Sequence, residues 1–267
     1  MQLTDALLGA RDRGRPALVP YLMVDRARDR RLEPTARAFR DAGASALELG
    51  FPFSDPIADG PVLEVAAGRA LSGGTRWSDL LASCRRASRI LPVAVMTYAN
   101  PVWTHGLAGA FGDLAAAGVT GVIVPDLSLE ESVPWRRAAE AAGLALVLLA
   151  APGEPAGRLR RIARASRGFL YLVGHYGTTG APAAGATVDL QPLVAGARAA
   201  APALPILIGF GIRNRASARR ALAQGADGFV VATALEERIA RGATPAELGA
   251  WLRTMANIQA DSPATTR

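Results

Sequence analysis

The sequence predicts an α/β protein built as a single (β/α)8 TIM barrel. Three observations carry that expectation. Eight short apolar runs recur along the chain, stretches rich in alanine and arginine separate them, and the length is 267 residues, close to the ~250 typical of one such barrel. Strands covered by helices on both faces read as continuous apolar runs, which is the signature of a parallel sheet. Alternating strand and helix imply right-handed βαβ units, and eight of them close a barrel. An open doubly wound sheet is the alternative that the same alternation permits.

Taken in order, the first run is Ala17 to Val24. A helix follows with Pro34 near its start, runs to Asp41 and is closed by Gly43, as the preference for proline at the start of a helix and glycine past its end predicts. The second run, Ala46 to Gly50, leads into a loop rich in proline and glycine that reaches Pro61. The third and fourth runs are Val93 to Tyr98 and Gly121 to Pro125. Glu130 to Ala142 is helical and ends at Gly143, before the fifth run, Ala145 to Ala150, and the sixth, Phe169 to Val173. The seventh, Pro205 to Phe210, is followed by a helix that begins near Asn214 and spans Ala216 to Gln224, with Gly225 closing it. Gly228 to Thr233 is the eighth, and Leu235 to Ile239 is helical again. Residues 1–258 thus form the barrel domain, and the polar stretch 259–267 is expected to be a disordered tail.

Composition excludes several functions. Cys84 is the only cysteine, so no disulfide forms within the chain, and a reducing cytoplasm is the expected location. Met1 to Arg15 is charged throughout and does not read as a signal peptide, and no run of about eighteen apolar residues suggests a membrane span. The net charge of +7 raises the question of nucleic acid. The basic residues, however, are spread over helical stretches such as Arg136-Arg137 and Arg158 to Arg164, with no aromatic interleaving for base stacking. All thirty basic residues are arginine. Without a lysine amine, a Schiff-base aldolase is excluded. His105, His175 and Cys84 show no metal-site spacing, which argues against a zinc-dependent aldolase. Chemistry then rests on carboxylates, tyrosines, hydroxyls and backbone amides.

In barrels of this kind, active sites lie where the strands end. Glu48 stands inside the apolar second run. An ionised carboxylate there is costly, so it is paired, raised in pKa, or turned toward a polar cavity. Asp55 and Asp59, in the loop beyond, suit turn chemistry as well as function. Gly209-Phe210-Gly211-Ile212 ends the seventh run ahead of a helix, and Ala232-Thr233 ends the eighth. Glycine lets backbone amides approach a phosphate and helix N-termini favour anions, so this pair of loops is a candidate phosphate site.

The stretch from Glu48-Leu49-Gly50 through Pro52-Phe53-Ser54-Asp55-Pro56 to Ala58-Asp59-Gly60-Pro61 closely resembles the signature of the tryptophan synthase α subunit family. Agreement continues in order at Tyr98-Ala99-Asn100-Pro101, at Pro125-Asp126-Leu127 with Glu130-Glu131, at Gly177 to Gly180 and at Gly209 to Ile212. The resemblance implies retro-aldol cleavage of indole-3-glycerol phosphate to indole and glyceraldehyde 3-phosphate. It implies an acid–base role for Glu48 and, for Asp59, acceptance of a hydrogen bond from the indole N–H. Tyr98, Tyr171 and Thr179 take supporting places, with Thr179 on a mobile loop that orients the aspartate. Gly180, Gly209, Phe210, Gly211, Ala232 and Thr233 fall at the phosphate. The family's partner is a β subunit in an α2β2 assembly. No cofactor is implied for this chain, since pyridoxal phosphate belongs to the β subunit.

Five places depart from the family pattern. Val24-Asp25-Arg26-Ala27 stands where Gly-Asp-Pro is usual, and Gly174-His175 replaces a serine and arginine. Ala181-Pro182 follows the lid motif where an arginine is usual, Ala232-Thr233 replaces Gly-Ser, and Glu64 replaces a glutamine. Glu48, Asp59 and Thr179 are kept. These departures leave two alternatives: a divergent stand-alone lyase that releases indole for a specialised pathway, and a non-catalytic regulatory subunit that activates a β-type partner. Related phosphate-binding barrels of tryptophan or histidine biosynthesis fit less well, because those resembling indole-glycerol-phosphate synthase depend on lysine.

Overall fold

Eight strands form where the apolar runs lie: β1 Ala17–Met23, β2 Leu47–Gly50, β3 Val93–Met96, β4 Val119–Ile123, β5 Ala145–Ala150, β6 Leu170–Val173, β7 Ile206–Gly209 and β8 Gly228–Val231. The computed structural model describes residues 2–174, 189–209 and 211–258. The expected tail at 259–267, the lid motif with Thr179 and Gly180, and Phe210 all lie outside the described residues. The strands are hydrogen-bonded in chain order, all parallel, and β8 returns to pair with β1, so the barrel is closed and the open sheet is excluded.

Twelve α-helices are present among the described residues: α1 Leu3–Asp12, α2 Leu32–Asp41, α3 Pro61–Ser72, α4 Trp77–Ala87, α5 Ala99–His105, α6 Leu107–Ala116, α7 Ser132–Ala141, α8 Ala156–Ala165, α9 Gln191–Ala200, α10 Arg215–Ala223, α11 Thr233–Ala240 and α12 Pro245–Ala256, with a 3-10 helix at Arg26–Arg31 between β1 and α2. None is long and apolar enough to cross a membrane. The closing glycines take the left-handed backbone expected of them, with φ of 71° at Gly143 and 90° at Gly225. Most strands are a residue or two shorter than the apolar runs, and β5 alone matches its run at both ends; two differences alter an assignment. β4 starts at Val119, with its register shifted against Val93 and Ala94, so Thr120 joins the strand and donates to Val93 O at 3.0 Å. Thr233 is the first residue of α11 instead of the last of the eighth strand, because the helix begins as soon as β8 leaves its ladder.

The two faces of the strands bury separate cores. Val19, Tyr21, Met23, Ala46, Ala94, Met96, Ile123, Val147, Tyr171, Leu207 and Val230 face the barrel interior. The alternate residues, such as Leu18, Leu22, Leu47, Leu49, Val93 and Val95, pack outward against the helices. Cys84 on α4 is buried in this outer layer. Helix α1 plugs the N-terminal end of the barrel: Leu3 and Leu7 join the interior core, and Thr4 Oγ1 donates to Gly168 O at 3.0 Å. Among the described residues, α1 thus covers the N-terminal end of the barrel, opposite the end where the strands finish.

Candidate active site

Period-two alternation fixes which carboxylate enters the barrel. Ala46, just ahead of β2, belongs to the interior core, so Glu48 two residues later faces inward too, and it is 1% exposed. Its Cα partner in the β1–β2 register is Tyr21. Glu48 Oε2 has no hydrogen-bond partner among the described residues. Burial, and after it the negative charge of Asp59, pushes the Glu48 carboxyl up to about 8.

Asp59 arrives from the loop between β2 and α3, where its N–H donates to Pro56 O at 2.9 Å. It is 2% exposed, with Oδ1 buried and unpartnered. The Tyr98 hydroxyl, at the N-cap of α5, is hydrogen-bonded to the Asp59 carboxylate and accepts from Ala58 N–H at 3.1 Å. The Phe53 ring stacks on Tyr98 at 5.3 Å, and Phe51 meets Trp77 edge-on at 5.3 Å. One tyrosine therefore grips both the aspartate and the loop that carries it. Burial pushes Asp59 up to about 7; the Tyr98 hydrogen bond pulls the other way and the charge of Glu64 adds to the rise.

Two further tyrosines wall the interior. Tyr171 on β6 and Tyr21 on β1 are buried, and both phenols are held well above their ordinary range, by burial first and then by neighbouring carboxylates. For Tyr171 those are Glu48 and Asp59; for Tyr21 they are Asp59, Glu236 and Glu48. Each ring lies over a glycine at the end of the next strand. A Cβ on Gly50 would sit 1.8 Å from Tyr21 Oη, and one on Gly209 would sit 2.2 Å from Tyr171 Oη. These glycines give room for the rings, a reason distinct from phosphate approach. The Tyr21 hydroxyl donates to Met23 Sδ at 3.6 Å.

Four of the residues expected from sequence thus meet in one place: Glu48, Asp59, Tyr98 and Tyr171. Gly209 ends β7, Gly211 follows with φ 81°, and Ala232 and Thr233 form the β8–α11 junction, with Thr233 buried. These four lie at the same strand-end rim. Two residues escaped the sequence reading. Tyr21 could have been found by counting the interior phase of the first run through Val19 to Met23. Glu236, buried on α11 and accepting from Met23 N–H at 2.9 Å, carries no local mark.

The arrangement supplies two buried carboxyls, Glu48 and Asp59, both pushed up by burial, in an interior with tyrosine hydroxyls. That is equipment for moving one proton on and off an organic substrate while stabilising a transient positive charge. The family model for the tryptophan synthase alpha chain matches residues 7–260. A tryptophan synthase alpha chain from Picosynechococcus sp. is 42% identical over 241 residues, covering 88% of each chain. One from Prochlorococcus marinus is 43% identical over 235 residues, covering 86% of this chain and 84% of its own. Among solved structures, a chain of tryptophan synthase from M. tuberculosis superposes with a TM-score of 0.84 at 33% identity, over 95% of this chain and 96% of that one. A chain from Aquifex aeolicus gives 0.86 at 29% identity, over 96% and 98%.

Proposed function

Because this chain belongs to the tryptophan synthase alpha chain family, we propose that it is the lyase that cleaves indole-3-glycerol phosphate to indole and glyceraldehyde 3-phosphate. The observation that carries the reading is the buried pair Glu48 and Asp59, whose environments push their pKa values to about 8 and about 7. At neutral pH the first holds its proton while the second is partly ionised, and such separation sorts an acid from an electrostatic stabiliser.

The proton balance then closes on one residue. Glu48 gives its proton to C3 of the indole ring, which makes the ring a leaving group. Positive charge develops at the ring nitrogen, and the Asp59 carboxylate accepts the N–H and stabilises it. The bond from C3 to the glycerol carbon breaks, its electrons return to the ring, and the adjacent hydroxyl becomes the aldehyde. Glu48, now a carboxylate, takes that hydroxyl's proton and is restored. Tyr98 holds Asp59 in place, and Tyr171 packs beside the ring. Gly209, Gly211, Ala232 and Thr233 receive the phosphate at the mouths of β7 and β8; Phe210 and Gly180 complete that end and Thr179 orients Asp59. A β subunit in an α2β2 assembly is the proposed partner. Support comes from Ile57, Trp103 and Val133, large apolar residues 72%, 65% and 40% exposed on the segments that follow β2, β3 and β4. The proposed location is the cytoplasm, which suits a lone unpaired thiol.

The test is indole release by the purified chain, alone and with a β subunit, beside Glu48→Gln. Wild-type release should fall by about 10²- to 10⁴-fold in the variant. Its kcat/KM should rise with pH through about 7 as Asp59 ionises and fall through about 8 as Glu48 loses its proton. Fast release indifferent to β would mark a stand-alone lyase, whereas no release under either condition, with β activity stimulated, would mark a regulatory subunit.

A further inference from the structure

β8 ends at Val231, yet β1 runs on to Met23. The β1–β8 ladder stops at the pairing of Pro20 with Val231, so Met23, which pairs with Gly50 of β2, has no partner from β8 on its other side. Glu236 of α11 supplies the missing acceptor at 2.9 Å, in a buried position. Its other oxygen lies 3.5 Å from Arg28 Nη1. Arg28 in turn reaches Asp25 at 3.7 Å, and Asp25 accepts from Arg69 Nε of α3 at 3.0 Å. Two carboxylates and two guanidiniums therefore join the β1–α2 loop, α3 and α11. Helices α3 and α11 also pack on each other and on β1.

Asp25 is the aspartate of the usual Gly-Asp-Pro, and the residues on either side of it, Val24 and Arg26, are the ones that depart from the pattern. Stability does not account for the quartet, because burying ion pairs costs desolvation that apolar side chains of similar volume avoid. Its placement does. Asp59 precedes α3 by two residues, and Thr233 begins α11. Through Arg69, near the far end of α3, and Glu236, in the first turn of α11, the quartet ties the helix that follows the Asp59 loop to the helix that begins at the proposed phosphate end.

We propose that Asp25, Arg28, Arg69 and Glu236 are positioning residues, a strut that sets the spacing between the carboxylate pair and the β7–β8 rim so that one substrate reaches both. The inference rests on the lyase reading above. A one-ångström error in such spacing costs about 10²-fold in rate without weakening the contacts at either end. The experiment compares wild type with Glu236→Gln, which keeps an oxygen for Met23 N–H and removes the charge, and with Arg28→Met, at a half-buried site. Each is measured for cleavage of indole-3-glycerol phosphate, for separate binding of indole and of glycerol 3-phosphate, and for thermal midpoint. The strut requires kcat/KM to fall about tenfold or more while each fragment binds within about twofold of wild type. Unchanged cleavage in a folded variant overturns it, as do losses of fragment affinity that parallel the loss of cleavage, since those report general damage. Should Glu236→Gln not fold, Arg28→Met decides alone. A wild-type chain that releases no indole, with or without β, overturns the lyase reading and the strut with it; wild-type release with unaltered variants overturns the strut only.

Discussion

Glu48 and Asp59 are both nearly inaccessible, and burial raises both; the Tyr98 hydrogen bond restrains the rise of Asp59, while the charge of Asp59 adds to that of Glu48. Glu48 could be picked out of the sequence because a carboxylate inside an apolar run demands an explanation. Asp59 could not, since an aspartate in a loop rich in proline and glycine has turn chemistry as a sufficient reason. Its role came from resemblance, and its burial from the fold. Tyr21 passed unnoticed because an aromatic inside a strand looks the same whether it packs a core or lines a site. Its closeness to Gly50 gives a test. Gly50→Ala should cost about 1–3 kcal/mol through overpacking, and the cost should largely vanish in a Tyr21→Leu background, measured by urea denaturation as a double-mutant cycle. Additive losses would show that the ring is not what the new methyl meets.

Elements were easier to read than sites, for a physical reason. Strands sealed on both faces are apolar without interruption, so β5 was delimited to the residue, and the ends of α2, α7 and α10 were marked by Gly43, Gly143 and Gly225. Asn214, placed near a helix start, accepts from Ser217 N–H at 3.0 Å and caps α10. Errors arose where one apolar stretch spans two elements. Gly228 to Thr233 gives no sign that β8 stops at Val231 and that α11 starts two residues on. Helix α1 carries little mark in the sequence, because its buried leucines, Leu3 and Leu7, are embedded among charged and polar neighbours. Nothing local could reveal that Glu236 reaches Met23, a contact 213 residues apart that exists only once the barrel closes.

At the scale of the whole molecule, the buried acids make stability depend on pH. Glu48 rises from an ordinary 4.5 to about 8 on folding, and Asp59 from 3.8 to about 7. Between those values the folded chain binds more protons than the unfolded one, so stability falls as pH rises. The stabilisation is fully present below about pH 4 and is lost as pH climbs through about 7 and about 8. Thermal midpoints at pH 5, 7 and 9 should therefore decline, and they should decline less in Glu48→Gln, which has no proton to lose. An equal decline in both would remove Glu48 as the source.

Cys84 is wholly buried on α4, and burial pushes its thiol up to about 12. As the chain's one cysteine, it makes the protein its own stopwatch. A reagent that modifies only exposed thiols has a single target and must wait until the helical layer lifts from the barrel wall. With reagent in excess, the labelling rate becomes the opening rate. Adding substrate analogue would then tell whether the outer shell breathes independently of the mouth: an unchanged rate means separate openings, and a slowed one means that helix and site come apart together.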